Sequence, residues 1–318
     1  MPGRVRPAVI AIVGATCVGK TETAEDLAVR VNGQIVSADS MQVYRGMNIG
    51  TAKPAPERRR VPYHCIDLID CGTPYSAALF QRDARAAIDL IAADGGLPIV
   101  CGGTGLYLRA ALDDWEFPAG ESATPARFRL EALADELGPD ALHARLAQVD
   151  PAAAAEIHPN NVRRVVRALE MAEHGKSYAE QAERFSERTS WYPMTFIGLT
   201  MQRSELYARI EERVDAMLRA GLLGEVAGLL ASGYRDALTA SQAIGYKELV
   251  PVLEGTTTLS EATAAIKQAT RRYAKRQSTW FRADPRIRWL DVTGLSAAER
   301  SAGVLELLES SLPQLTHD

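Results

Sequence analysis

The chain has 318 residues, a length for one large domain or two smaller ones, and 47% of them are hydrophobic, enough for a sizeable core. The formal net charge is −4, and the four cysteines (Cys17, Cys65, Cys71, Cys101) show no C-x-x-C spacing, which reads as free thiols in a reducing compartment and argues against a disulfide framework. Met1 to Pro7 is basic but lacks an apolar core, and no apolar run approaches the length of a membrane span, so the expectation is a soluble, cytoplasmic protein.

Ala8 to Val13 is a short apolar run, as a buried strand would be. Thr21 to Val31 is polar and alanine-rich with Leu27 and Val31 four apart, as in a helix. Between them Gly14-Ala15-Thr16-Cys17-Val18-Gly19-Lys20-Thr21 fits G-x-x-x-x-G-K-[ST], the phosphate-binding P-loop. Gly14 and Gly19 let backbone N–H groups turn toward an anion, and the following helix adds its positive end. Lys20 is placed to reach terminal phosphates, and the Thr21 hydroxyl to hold a Mg²⁺ bridging two of them. A chance glycine-rich turn is the alternative, and the agreement of strand, loop and helix argues against it. The motif predicts a phosphate ester or diphosphate without saying which.

Gln34 to Ser40 reads as a second strand ending in a polar loop, which puts Asp39 just past a strand's C-terminal end, where open α/β sheets carry functional groups. A loop-capping Asp is an equally good reading of the spacing alone. Met47 to Pro54 is loop, Val61 to Leu68 a third short strand, with a structural His64, and Ser76 to Ala93 a helix. Leu97 to Cys101 is a fourth strand running into Gly102-Gly103-Thr104-Gly105-Leu106-Tyr107, read here as a tight strand–helix turn or a second wall of the same crevice.

Near Asp113 the composition shifts. From Glu121 to about Arg188 no strand-like run appears, and helices are predicted at Pro125–Leu137, Pro139–Leu146, Pro151–Ile157, Asn160–His174 and Tyr178–Phe185, several opened by proline. The fold class predicted is α/β, a P-loop parallel-sheet core (1–112 and 191–318) with an all-helical insertion (113–190). Within the insertion Arg163, Arg164 and Arg167 fall on about one helical face with no acid among them, pointing either to an anionic partner or to a solvated basic face. Met194 to Thr200 is a fifth strand, Arg203 to Leu230 a helical stretch broken at Gly221, and Ala243 to Leu249 a loop into helix. Lys267 to Arg282 (KQATRRYAKRQSTWFR) has six basic residues, no acid, and interleaved Tyr273, Trp280 and Phe281, within a basic helix placed at 262–282. Arg271 and Lys275, like Arg272 and Arg276, are one turn apart, an electrostatic footprint for nucleic acid unless the helix is core with a solvated basic side. Ile287 to Val292 is a last strand and Ala297 to Leu312 a closing helix.

Taken in order, GATCVGKT, DSMQVYRGMNIGTAKP (Asp39 to Pro54), GGTGLYLRA, HPNNVRRVVRALE, AIGYKEL and TRRYAKRQSTWFR resemble the tRNA dimethylallyltransferase (tRNA isopentenylpyrophosphate transferase) family from about Ile10 to Arg282. The family loop usually reads G-P-T-A-S-G-K-T, so Ala15, Cys17 and Val18 are departures that keep the glycines but remove a hydroxyl; Asn161 stands where Asp is common and Cys65 where a second His is often found. The resemblance implies transfer of a dimethylallyl group from its diphosphate to N6 of the tRNA adenosine 3′-adjacent to the anticodon, with Mg²⁺. It implies Asp39 as general base, Thr104 at the second glycine-rich turn and Arg127 at the mouth of the insertion as further catalytic groups, and Asp39, Ser40, Met41 and Gln42 as tRNA contacts. Gln42 is the amide expected on the adenine edge. Arg163, Arg164, Arg167, Gly245, Tyr246, Lys247, Arg271, Arg272, Lys275 and Arg276 are the remaining tRNA-contact candidates. A small-molecule or nucleotide kinase and a non-catalytic nucleic-acid-binding NTPase are the competing readings; the first leaves the basic helix unexplained, and the second needs ATP-coupled motion, for which no strand-borne second acidic motif is evident. Nothing in the chain demands more than a monomer.

Overall fold

A computed structural model of the chain describes residues 6–117 and 124–310. The chain divides by internal packing into two units, Met1–Asp114 with Ser190–Asp318, and Trp115–Thr189. It opens with β1 (Val9–Gly14), passes through the glycine loop into α1 (Lys20–Arg30), and continues as β2 (Gly33–Ser37), β3 (Tyr63–His64), α2 (Ala77–Ala93), β4 (Leu97–Gly102) and α3 (Gly105–Leu112). Five helices follow in the second unit: α4 (Pro125–Leu137), α5 (Pro139–Val149), α6 (Pro151–Glu156), α7 (Val162–Glu173) and α8 (Tyr178–Ser186). The first unit resumes with β5 (Met194–Thr200), α9 (Arg203–Arg219), α10 (Leu222–Leu230), α11 (Val250–Leu253), α12 (Leu259–Arg282), β6 (Ile287–Asp291) and α13 (Ala297–Glu309). The predicted end of the last helix at Leu312, and most of the basic N-terminal run, lie outside the described residues.

The six strands form one sheet in the order β3-β2-β4-β1-β5-β6, and every pair is parallel. Parallel sheets need both faces covered, and β1 shows how: Val9, Ala11 and Val13 enter one core with Phe80, Ile88 and Ile91 of α2, while Ile10 and Ile12 enter another with Leu27 of α1 and Val304 of α13. β2, β3 and β4 lie to one side of β1 and β5 and β6 to the other. The loop after β1 therefore sits where the connections diverge, the place open α/β sheets use for ligands.

The third strand is much shorter than predicted. Cys65 and Asp67 take φ of 58° and 55°, left-handed values that end an extended run, so only Tyr63 and His64 pair with β2. His64 is structural, as expected: its ring bonds Gln34 Oε1 at 2.8 Å, and burial lowers its pKa. The basic helix is longer than its charged part, starting at Leu259 behind a capping box of Thr258 and Glu261. The break at Gly221 is real, with φ at 98°.

In the second unit, Leu130, Leu142, Leu146, Val165 and Leu169 make a separate core. Trp115 stacks on Phe185 with ring centroids 4.2 Å apart. Asp150 caps α6 through Ala153 N and also accepts from Ser177 Oγ and Tyr178 N, tying the start of α8 to the start of α6.

Candidate active site

Three loops leave the C-terminal edge of the sheet side by side, and each is shaped by a backbone need. In the P-loop, Gly14 has φ of 144°, and a Cβ there would lie 2.4 Å from the Leu199 carbonyl oxygen, so no other residue fits. Gly19, with φ of 95°, caps α1 without any side-chain hydrogen bond, which leaves first-turn N–H groups for an anion. The loop after β4 passes the loop after β2 at backbone contact: a Cβ on Gly102 would lie 2.2 Å from the Ala38 oxygen. Ala38 N–H donates to Cys101 O, and Thr104 N–H to Ala38 O.

Helix α12 closes over both glycine turns. The Gln277 side chain accepts from Thr16 N at 2.8 Å and donates to Gly103 O at 2.9 Å. A Cβ at Gly105 would lie 2.0 Å from Trp280 Nε1. The GGTG string is therefore glycine-rich because a helix from the far end of the chain rests on it.

Beneath that helix is a cavity of about 820 Å³, within the size range of ligand sites. Thr16, Cys17, Gly19, Lys20 and Thr21 line one wall, and Asp39, Ser40, Met41 and Gln42 another. Its lining includes six cationic residues (Lys20, Arg209, Arg213, Lys247, Arg272, Arg276) against two acids, Glu22 and Asp39. Lys20 Nζ donates to Ala15 O at 2.6 Å. Burial holds the Lys20 pKa below the usual lysine range, with Arg213 adding to the fall and Asp39 among the groups opposing it. An arriving polyanion would relieve that strain on the ammonium. Asp39 is half-buried, and its Oδ1 accepts from Met41 N at 2.9 Å. Asp39 thus bonds its own loop and also lines the cavity. Tyr273 lines the cavity too; burial pushes its hydroxyl up to about 12, helped by the Asp39 charge and opposed by the neighbouring Thr104 and Gln277 side chains.

Residues 42–284 match the model of the IPP transferase family, and residues 7–61 match the isopentenyl transferase model. The chain belongs to the IPP transferase family. The tRNA dimethylallyltransferase of Carboxydothermus hydrogenoformans is 49% identical over 284 residues, 89% of this chain and 91% of that one. The same-named protein of Symbiobacterium thermophilum is 49% identical over 96% of each chain. Among solved structures, the full-length tRNA isopentenylpyrophosphate transferase of Bacillus halodurans superposes with a TM-score of 0.72 at 42% identity over 98% of each chain. A eukaryotic dimethylallyltransferase acting on tRNA superposes at 0.80 with 31% identity, covering 96% of this chain and 79% of that one.

Within this IPP transferase the sequence-predicted residues separate. Gly14, Ala15 and Val18 shape the P-loop from outside the cavity, with Ala15 and Val18 buried in the core under α1. Thr104 stands behind the wall: its Oγ1 accepts from Ser40 N at 3.1 Å and donates to Ser40 Oγ at 3.3 Å. Gln42 lines the cavity with its amide partly engaged inside the protein: its Oε1 accepts from Ser37 Oγ at 2.9 Å and its Nε2 donates to Thr51 O at 3.3 Å. Tyr246 corrects an expectation: it is 0% exposed, and its hydroxyl donates to Glu225 Oε1 at 2.6 Å. Gly245 N–H donates to Glu248, and only Lys247 of that trio is exposed.

The basic helix is less basic than its sequence. Glu211 and Asp215 of α9 pair with Arg271 (2.8 Å) and Lys267 (2.7 Å), and Phe281 is core. Arg272 and Arg276 face the cavity, whereas Lys275 lies on the other side of α12 in a smaller groove with Arg203 and Arg282. In the helical unit, Arg167 is also paired, with Glu170 at 2.8 Å, leaving Arg163 and Arg164 exposed. Arg127 joins the same acid at 3.0 Å, where Thr124 Oγ1 donates as well.

Arg213 is the residue that sequence reasoning missed. It sits on the cavity wall with Nη1 3.7 Å from Cys17 Sγ. The available signal was its spacing from Arg209, one helical turn earlier, but a basic pair on a polar helix reads as a solvated face. Among the described residues no helix is long and apolar enough to cross a membrane.

Proposed function

We propose that this IPP transferase moves a dimethylallyl group from dimethylallyl diphosphate to N6 of the tRNA adenosine 3′-adjacent to the anticodon. One observation carries the reading: a P-loop, a carboxylate and two arginines of a basic aromatic helix line the same cavity. The adenine N6 lone pair is delocalised into the ring, so the amine needs a base as its bond to the allylic C1 forms. Asp39 is that base. The C1–O bond breaks in the same event, and the electron pair leaves with the diphosphate. The charge developing there is met by P-loop N–H groups, Lys20 and Arg213, donors already in place before reaction.

Mg²⁺ fits the same wall. Among the described residues no group of three or more His, Cys, Asp or Glu is built to hold a metal, so the protein supplies no cage. Mg²⁺ usually takes one or two protein oxygens and fills its shell from phosphate and water, and the Thr21 hydroxyl on the P-loop wall would meet that need. Bound there it neutralises charge on the diphosphate.

The adenosine must leave the stacked anticodon loop to reach the cavity. Arg272, Arg276 and Lys247 are placed for phosphates beside an extruded base, and Tyr273 for its face. Arg163 and Arg164 of the helical unit are further backbone contacts.

The test is mass spectrometry of an unmodified tRNA with an A-rich anticodon loop, incubated with the protein, Mg²⁺ and dimethylallyl diphosphate. A gain of one dimethylallyl group on the adenosine beside the anticodon is expected. No gain, with ATP consumed in a parallel assay, would return the protein to the kinase reading.

A further inference from the structure

Gln277 takes no part in the chemistry above, yet it ties the P-loop to the second glycine turn. It is 6% exposed. Its carbonyl oxygen takes the Thr16 N–H, and its amide N–H₂ reaches the Gly103 oxygen. A carboxamide carries an acceptor and a donor on one rigid plane at any ordinary pH, and this site needs both: one loop offers an N–H, the other a C=O. The neighbouring backbone has been cleared for it, since a Cβ on Gly103 would lie 2.2 Å from Gln277 Nε2. Thr16 precedes the left-handed turn at Cys17 (φ 68°), so engaging its N–H leaves those of Cys17 through Thr21 to face an anion. The same helix presents Arg272, Tyr273 and Arg276 to the cavity.

We propose that Gln277 is a positioning residue for the transfer reaction: it registers the P-loop and the second glycine turn against α12, so that the loop holding the diphosphate is set by the helix that faces the RNA. This rests on the P-loop binding the donor diphosphate, as argued above.

Two variants test it, with inorganic diphosphate and dimethylallyl diphosphate as probes. Gln277→Leu keeps the volume and loses both bonds. If it melts within a few degrees of wild type and binds tRNA, without donor, to within about twofold, we expect inorganic diphosphate affinity and kcat/KM for dimethylallyl diphosphate to fall about tenfold or more, the scale of one well-made buried hydrogen bond. Gln277→Glu supplies a readout that survives any general loss of stability. One carboxylate oxygen still accepts from Thr16, but the other opposes the Gly103 oxygen unless it is protonated, so activity relative to wild type should rise as pH falls. A flat ratio across pH overturns the assignment. So does a Gln277→Leu protein that matches wild type with both diphosphates, or one that loses tRNA and diphosphate binding in equal measure. If wild type itself neither binds inorganic diphosphate nor transfers the prenyl group, the site reading falls and takes this one with it; if wild type does both, only the role of Gln277 is at stake.

Discussion

Replacing Tyr246 with phenylalanine removes one oxygen from a site closed to solvent. The ring would stay, packed so tightly over Gly50 that a Cβ there would meet it at 2.3 Å. What is lost is the hydroxyl's bond to Glu225, a carboxylate of α10 that also accepts from the N–H groups of Asn48, Ile49 and Gly50. This fan of donors fixes the MNIGTAKP loop, whose Gly50, Thr51 and Ala52 reach the cavity. A hydrogen bond to a charged group contributes about 1.5–3 kcal/mol. Three backbone donors remain on Glu225 in the variant, so the lower end applies, about 1.5–2 kcal/mol. At about 2–4 °C per kcal/mol for a chain of this size, the melting temperature should fall by roughly 3–8 °C. The assay is a urea denaturation midpoint paired with tRNA affinity by filter binding. We expect a lower midpoint and an affinity within about twofold of wild type. An unchanged midpoint with tRNA binding weakened about tenfold, or roughly 1.4 kcal/mol, would refute the argument and make the Tyr246 hydroxyl a nucleic-acid contact.

Asp39→Asn should lower prenyl transfer by about a hundredfold or more, the usual contribution of a general base, with tRNA affinity retained; near-normal turnover would remove Asp39 from that role. Charge reversal at Arg272 and Arg276 together should weaken tRNA binding and reduce its salt slope by about two, whereas Arg271→Glu, which mainly disrupts the pair with Glu211, should change the slope by less than one; equal effects would mean that α9 does not neutralise Arg271. Glu170→Gln tests the helical unit. Burial alone would raise the Glu170 carboxyl, but hydrogen bonds from Thr124 and Arg167 and the Arg127 charge outweigh it and hold the pKa below the ordinary value. A carboxyl lowered in the folded state stabilises above its unfolded pKa and loses that stabilisation as pH falls through the folded one. The wild-type advantage in melting temperature over Glu170→Gln should therefore be full near neutral pH and shrink on acidification below about pH 4.5; an advantage that grows on acidification would contradict the sign.

The second glycine turn shows how a local signal gains a global meaning. On its own, GGTG after a strand is a tight turn into a helix. In the folded chain the same glycines are spaces occupied by Gln277 and Trp280, residues more than 170 positions away. A substitution there would act on the turn and on the seating of α12 together.

The local backbone was legible from sequence because its causes are local. The P-loop, the strands at β1, β4 and β5, the break at Gly221 and the proline-opened helices α4, α5 and α6 all follow from apolar spacing, glycine and proline, each acting within a few residues. The family strings extended that reading to Asp39 and the basic helix, and the cavity brings those two together. What tertiary structure alone decided was which charges meet. Arg271 is neutralised by an acid 60 positions earlier, Thr16 is held from 261 positions later, and Arg213 reaches the P-loop from a helix that reads as ordinary polar surface. Tyr246 looked like an RNA contact in a glycine-bearing loop and is instead a core residue, because Glu225 lies beneath it. Periodicity reports which face of an element is apolar; it carries no information about the partner that face or charge will meet, since that is set by how distant elements pack.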